Sequence, residues 1–173
     1  MKKSLISLIF LFSLPFYPSH IYAATAPVII DYELPYPGIL PDNPIYPLKI
    51  IRDKITGFLI GKPLKKAEFD LIKADTRVSA ASTLIDQRKS ISLAITTLSE
   101  AEDYFNEALK KTGEAKAEGV DTREFVKRLV TANQKHEEIA KKIEEKIGTK
   151  DKNKLEIVKK RIQALGRELK KIR

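Results

Sequence analysis

The chain has 173 residues, of which 43% are hydrophobic and 32% are charged, and its formal net charge is +9. This length suits one domain or two small ones, and the charged content is more typical of long solvated helices than of a compact α/β enzyme. Because the sequence contains no cysteine, disulfides, thiolate nucleophiles and cysteine-ligated zinc are excluded.

The N-terminal stretch MKKSLISLIFLFSLPFYPSHIYAATA has the three parts of a secretory signal peptide. Lys2 and Lys3 provide the charged start, residues 5–14 form an apolar run, and Ala23 offers a small residue before a cut. We therefore predict cleavage after Ala23, which would place the mature chain outside the cytoplasm, in the periplasm, on the cell surface or in the medium. The apolar run is too short to span a bilayer core of ~30 Å. Retention of this segment as an uncleaved anchor is the alternative.

Residues 24–43 are predicted to form an extended arm. Proline fixes φ and removes a hydrogen-bond donor, so the prolines here exclude a helix and argue against a central strand. They are Pro35, Pro37 and Pro41, followed by Pro44 and Pro47. The same region is too apolar for a free linker, with Val28, Ile29, Ile30, Leu34, Ile39 and Leu40. We expect the arm to lie on a helical body; a proline segment that binds a partner is the alternative.

Helices are predicted for the rest of the chain, starting with a short one over residues 48–60 that ends at Gly61. Pro63 can occupy the first turn of the next helix, and no proline follows it. Apolar and small residues then recur at alternating spacings of three and four, from Leu64 to Ile85 and from Ile91 to Ala108. This spacing predicts an antiparallel, coiled-coil-like hairpin over residues 63–112, turning near residues 86–90. Because the turn lacks glycine and proline, one continuous helix over these residues is the alternative prediction.

Two more helices are predicted in the C-terminal third. A loose segment is expected over residues 113–119, followed by a capping box of Asp121 and Glu124. The fourth helix would end at Gly148, and the fifth would carry an apolar seam from Leu155 to Ile172. The predicted fold is all-α, a bundle of antiparallel helix hairpins after the arm. Its predicted parts are the signal peptide (1–23), the arm (24–43), a helical domain (44–118) and a basic C-terminal hairpin (119–173).

The sequence offers no convincing catalytic or metal-binding motif. After Ala23 the only histidine is His136, and Ala140 stands where a zinc motif H-E-x-x-H needs its second histidine. Because His136 lies on the apolar seam, we interpret it as structural. Gly57 and Gly61 are spaced wrongly for a phosphate loop, and we interpret the acidic residues around Glu102 as solvated. We expect neither enzyme activity nor a cofactor or metal.

Positive charge is concentrated near the C-terminus, where residues 121–173 carry 17 basic and 9 acidic side chains. The basic face of the last helix could contact anionic lipid headgroups or wall polymers, although basic residues are also common as ordinary solubilising groups on a bundle helix. We expect no nucleic-acid partner, since no aromatic side chain interleaves the basic run. The candidate anionic-surface contacts are Lys159, Lys160, Arg161, Arg167, Lys170 and Lys171.

The stretch LPDNPIYPLKIIRDKITGFLIGKPLKKAEFDLIKADTRVSAA resembles an uncharacterised bacterial family, the domain of unknown function 5667. The shared features are the proline-tyrosine entry around Tyr46 and Pro47, a helix start with Pro63, Lys66 and Ala67, and an alanine-rich run with Ala74 and Arg77. The similarity covers roughly residues 33–110. It implies a helical envelope or extracellular domain, and it implies no activity and no site residues.

We therefore predict an exported, non-catalytic helical module that binds or supports structure in the bacterial cell envelope. The alternative is a protein that binds an anionic surface, lipid or wall polymer, through its basic C-terminal helices. The partner is either an unknown protein or an anionic envelope surface. The oligomeric state stays open, because heptad seams fit an intramolecular bundle and a dimer equally well.

Overall fold

The computed structural model describes residues 31–172, in which five α-helices follow the proline-rich segment and no strand is present. This confirms the predicted all-α bundle. The predictions on the signal peptide, on cleavage after Ala23 and on Val28, Ile29 and Ile30 lie outside the described residues. The helices are α1 (Tyr46–Phe58), α2 (Pro63–Asp86), α3 (Ile91–Ala117), α4 (Arg123–Glu144) and α5 (Lys152–Ile172), with a short 3-10 helix (Thr149–Asp151) before α5.

Helices α2 and α3 form the predicted hairpin, and the turn between them is built without glycine. Arg88 takes a left-handed backbone conformation, with φ of 54°. This allows the Lys89 N–H to donate to the Leu84 carbonyl at 2.9 Å, which closes the end of α2. The Ser90 hydroxyl then accepts from the Leu93 N–H at 3.2 Å and caps α3. A single continuous helix is therefore excluded.

Helices α2, α3, α4 and α5 pack as a four-helix bundle around two apolar clusters, and each cluster draws on all four helices. Both clusters therefore combine residues of the predicted helical domain (44–118) with residues of the predicted C-terminal hairpin (119–173). The cluster nearer the α2–α3 turn includes Leu84, Leu98, Ile143 and Ile162, and the cluster at the other end includes Leu71, Phe105, Leu129 and Leu169. Alanines such as Ala74, Ala81, Ala101 and Ala108 are fully buried between these large residues. Because their side chains are small, they allow the helices to approach closely.

The described part of the proline-rich arm, residues 31–43, lies on the bundle as predicted. Tyr32 packs against one apolar cluster, whereas Leu34 and Leu40 pack against the other. The arm also makes polar contacts with α1 and with the α2–α3 turn: Lys49 Nζ donates to the Pro37 carbonyl at 2.7 Å, and Lys89 pairs with Asp42 at 2.6 Å. It is thus an ordered part of the fold.

Two local predictions near residue 120 were wrong. Residues 113–117 are helical, because α3 continues to Ala117 and buries Ala115; the helix stops just before Gly119, which has φ of 80°. The capping box does not form. Thr122 is the N-cap residue of α4, Asp121 instead accepts from the Arg123 N–H at 3.0 Å, and Glu124 pairs with Lys127. The Asp121 and Glu124 side chains thus contact Arg123 and Lys127, and neither takes part in a reciprocal cap.

One glycine inside α5 fits closely against α4. A Cβ atom at Gly166 would lie 2.5 Å from Oδ1 of Asn133, which is buried and donates from Nδ2 to the Ile162 carbonyl at 3.0 Å. Gly113 in α3 is different, because a Cβ atom there would meet nothing within 4 Å. Gly166 therefore allows α5 to pack closely on α4, whereas Gly113 has no packing role and only lowers the stability of α3.

These two glycines should respond oppositely to alanine. We expect Gly113→Ala to stabilise the protein by up to about 1 kcal/mol, because alanine is the better helix former. Gly166→Ala should destabilise it by ~1–3 kcal/mol, because the new methyl group displaces the buried Asn133 amide. Urea unfolding of both variants tests this, and equal stabilisation by both would contradict the packing role. In an Asn133→Ala background the penalty at Gly166 should largely disappear.

Candidate functional site

A fully buried polar cluster lies in the middle of the bundle, centred on His136 of α4. His136 Nδ1 is 2.8 Å from Oε1 of Glu102 in α3, and His136 Nε2 is 3.2 Å from Oδ1 of Asp75 in α2. The Tyr32 hydroxyl of the arm donates to the second Asp75 oxygen at 2.6 Å. One imidazole ring therefore connects two helices to its own, and the arm joins them through Tyr32.

The two carboxylates decide the protonation state of this ring. Burial by itself would lower the pKa of His136, but Glu102 and Asp75 outweigh burial and raise that pKa to about 9. At neutral pH the ring is therefore an imidazolium that donates from both nitrogens. Burial and the Asp75 charge also raise the pKa of Tyr32, which keeps its hydroxyl a donor.

The cluster is sealed from solvent, because the side chains of His136 and Glu102 are 0% exposed and that of Asp75 is 2% exposed. This burial agrees with the interpretation of His136 as a structural residue. The prediction that Glu102 is solvated was wrong. Glu102 follows Leu98 by four positions and precedes Phe105 by three, so it lies on the apolar seam, where its charge is compensated by His136.

The histidine cluster should make stability fall as pH rises. A pKa of about 9 in the folded state, above ~6.5 in the unfolded chain, stabilises the fold fully below pH ~6.5. This contribution, about 3 kcal/mol at most, is lost progressively as pH rises from ~6.5 to about 9. Urea unfolding across this range measures the loss.

Proton NMR of a chain lacking residues 1–23 should show the imidazole of its single histidine titrating near pH 9. A midpoint near 6.5 together with flat stability would contradict the buried ion pair.

The six predicted surface contacts on α5 do not form one equivalent set. Lys159 pairs with Glu144 at 2.8 Å, and Arg161 pairs with Asp103 at 2.6 Å, so both are engaged within the molecule. The other four, Lys160, Arg167, Lys170 and Lys171, are exposed. Lys160, Arg167 and Lys171 are separated by seven and four positions, which aligns them along the face of α5 opposite its apolar seam.

Helix α1 has its apolar face turned outwards, a feature that the sequence analysis missed. Its buried residues are Tyr46, Asp53 and Gly57, whereas the large apolar side chains on the opposite side are exposed. Phe58 is 88% exposed and Leu48 is 66% exposed. We call the exposed set of Leu48, Ile51, Ile55, Phe58 and Leu59 the α1 apolar face.

The inward face of α1 is held to α2 by polar contacts and a close approach. Asp53 Oδ1 accepts from Lys73 Nζ of α2 at 3.1 Å and from Arg52 at 2.8 Å. Burial would raise the pKa of Asp53, but these two cations hold it below its usual value. Gly57 lies against Phe69 of α2, where an added Cβ atom would approach the ring to 3.0 Å.

The charges around the α1 apolar face are positive. Asp53 is the only acidic residue of α1, and it is buried and paired. The exposed charged residues of the helix are Arg52 and Lys54, and the exposed Lys62 follows just before α2. Lys65 of α2 is also exposed, but it pairs with Glu68 at 2.7 Å. The surface thus combines apolar side chains with basic ones.

Residues 38–163 match the family model described as Domain of unknown function (DUF5667). The chain belongs to this family. This confirms the resemblance predicted from the proline-tyrosine entry, and it extends the similarity well beyond residue 110. The searches of curated proteins and of solved structures found no significant match.

The DUF5667 match covers α1 through α4 and the first half of α5. It therefore includes the α1 apolar face and the three helical members of the histidine cluster, whereas Tyr32, Arg167 and Lys171 lie outside it. The family description carries no activity.

Within residues 31–172, no three His, Asp or Glu side chains are grouped so that they could hold a metal ion. Over the same range, no helix has both the length and the apolar character needed to cross a bilayer.

Proposed function

We propose that this protein is an exported, non-catalytic helical binding module of the bacterial cell envelope. The observation that carries the proposal is the α1 apolar face. Six of the ten large apolar side chains that are exposed in residues 31–172 lie between Ile45 and Leu59. A concentration of this kind marks an interaction surface, because scattered exposed apolar residues are the normal state of a protein surface.

The rest of the described chain supports a binding role. The His136 cluster uses its titratable groups to join α2, α3, α4 and the arm, and its burial keeps solutes away from them. The α1 helix rests on a bundle with its own complete apolar core, so its outward side chains are available to a partner. Export is supported by the charged start, the apolar run and the small residue at Ala23.

The proposal predicts where the protein is found and what keeps it there. Expressed in a bacterial host with a C-terminal tag, the chain should be recovered with the envelope and should begin at Ala24, as measured by fractionation and intact mass. Leu48→Ser combined with Ile55→Ser and Phe58→Ser should leave export unchanged and release the protein into the soluble fraction.

Because the three replaced side chains are exposed, the variant should unfold within about 0.5 kcal/mol per site of the parent. Ile157→Ser is the matched control, since Ile157 is equally exposed but belongs to α5. Recovery of the intact chain in the cytosol would refute export. An unchanged envelope fraction for the serine variant would refute the role of α1.

A second candidate function is binding of an anionic surface by α5, favoured by the aligned and exposed Lys160, Arg167 and Lys171. Reversing these three charges to glutamate should abolish sedimentation with acidic vesicles, and moderate salt should have the same effect on the parent. The matched control reverses three exposed lysines elsewhere that lie outside the ion pairs of the described residues, Lys116, Lys141 and Lys150. Equal loss in both variants would indicate a general charge effect, and no loss in the first would exclude α5.

A further inference from the structure

We infer that the α1 apolar face binds a lipid bilayer with anionic headgroups, and that α1 lies in the plane of the interface. This inference rests on the proposed function and specifies its partner. A helix of this kind needs a continuous apolar face, basic residues along its margins and little negative charge.

The geometry of α1 provides the continuous face. Leu48, Ile51, Ile55 and Phe58 are spaced by three, four and three positions, so at 3.6 residues per turn they form one stripe along the whole helix. Leu59 extends the stripe beyond the helix end. The opposite side is the one held on α2 through Asp53 and Gly57. The bundle therefore presents the stripe outwards without covering its flanks.

The charges select an anionic partner. Arg52 and Lys54 are exposed beside the stripe, and Lys62 continues the positive margin to the start of α2. The acidic group of α1, Asp53, is buried and paired with Lys73, so it does not repel headgroups. Apolar and basic side chains on one surface complement acyl chains and anionic headgroups together.

The same charges argue against a second copy of this chain as the occupant. Pairing two α1 helices through their apolar faces would bring Arg52 and Lys54 of each copy to the margins of one seam. Helices that pair in this way use opposite charges at such positions. No exposed acidic residue of α1 is available for that purpose.

The basic stripe of α5 is not part of this contact. Helix α1 packs on α2, whereas α5 packs mainly on α3 and α4 and is diagonal to α2 in the bundle. A flat membrane that touches the α1 apolar face therefore lies away from Lys160, Arg167 and Lys171. The two surfaces can be tested separately.

A single tryptophan provides the test, because the sequence contains none. Phe58→Trp places an indole on the α1 apolar face, where the native ring is 88% exposed. Fluorescence of this variant, in the chain that starts at Ala24, should shift to shorter wavelength with phosphatidylglycerol vesicles and much less with phosphatidylcholine vesicles. Ile157→Trp is the matched control on α5 and should not shift with either.

Charge reversal measures the contribution of the basic margin. Lys54→Glu with Lys62→Glu, which leaves the Arg52–Asp53 contact intact, should weaken vesicle binding in the Phe58→Trp background by at least roughly tenfold, since each basic side chain near an anionic membrane contributes roughly fivefold. Soluble polyphosphate is the control that distinguishes a lipid from other polyanions, because it carries negative charge but has no apolar phase. It should leave the emission of Phe58→Trp unchanged.

Several results would overturn the inference. These are no shift with anionic vesicles, an equal shift with polyphosphate, or a shift of Ile157→Trp alone, which would favour α5. Short-wavelength emission without vesicles would show that protein covers the face; dependence on protein concentration would then indicate a second copy, and independence would indicate the chain itself. If the triple serine variant is released from the envelope fraction but the emission of Phe58→Trp does not respond to vesicles, the proposed binding module is retained and a lipid partner is refuted.

Discussion

The buried ion cluster of His136 with Glu102 and Asp75 is the constraint on which the arrangement of the helices depends. Apolar seams that alternate large residues with alanine could slide past one another by a turn at modest cost. A charge buried at one level of the bundle needs its partner at the same level, since an unpaired buried charge costs several kcal/mol. The cluster thus sets the axial position of α2, α3 and α4, and Gly166 against Asn133 does the same for α4 and α5.

Helix α1 reverses the usual relation between burial and polarity. Its carboxylate and its glycine face the protein, and its leucine, isoleucine and phenylalanine side chains face away. This arrangement is stable because Asp53 finds cations on both sides and Gly57 allows the backbone to approach Phe69. The helix is attached by a few specific contacts, and its apolar surface is left for another phase or molecule. Binding by α1 would therefore leave the core of the bundle unchanged.

Much of the fold could be predicted from the sequence, because seam spacing and proline distribution report directly on long helices. The hairpin from Pro63 onwards, the arm and the last two helices follow from these patterns. The turn at Arg88 could not be predicted with the same force, because a left-handed residue there is expected to be glycine. Gly113 misled for the opposite reason, since neighbouring helix formers and the burial of Ala115 outweigh its cost.

The candidate site was harder to predict. Glu102 looks solvated beside Glu100 and Asp103, and only its spacing from Leu98 and Phe105 indicates the seam. The orientation of α1 depends on where Lys73 and Phe69 lie in three dimensions. The periodicity of α1 by itself favours burial of its apolar face, which is the face that the structure exposes. The basic residues of α5 were visible in the sequence, but the pairing of Lys159 and Arg161 with acidic side chains of other helices was not.

The contact between Tyr32 and Asp75 has a consequence for the order of assembly. A ribosome releases the arm before the helices, but the surroundings of Tyr32 are completed by Arg128 and His136 of α4, about a hundred residues later. Until α4 has been synthesised, the surroundings of Tyr32 are incomplete, and the prolines of the arm keep it from forming a helix in the meantime. Tyr32, although it is synthesised before all five helices, therefore reaches its final surroundings only after α4 has packed.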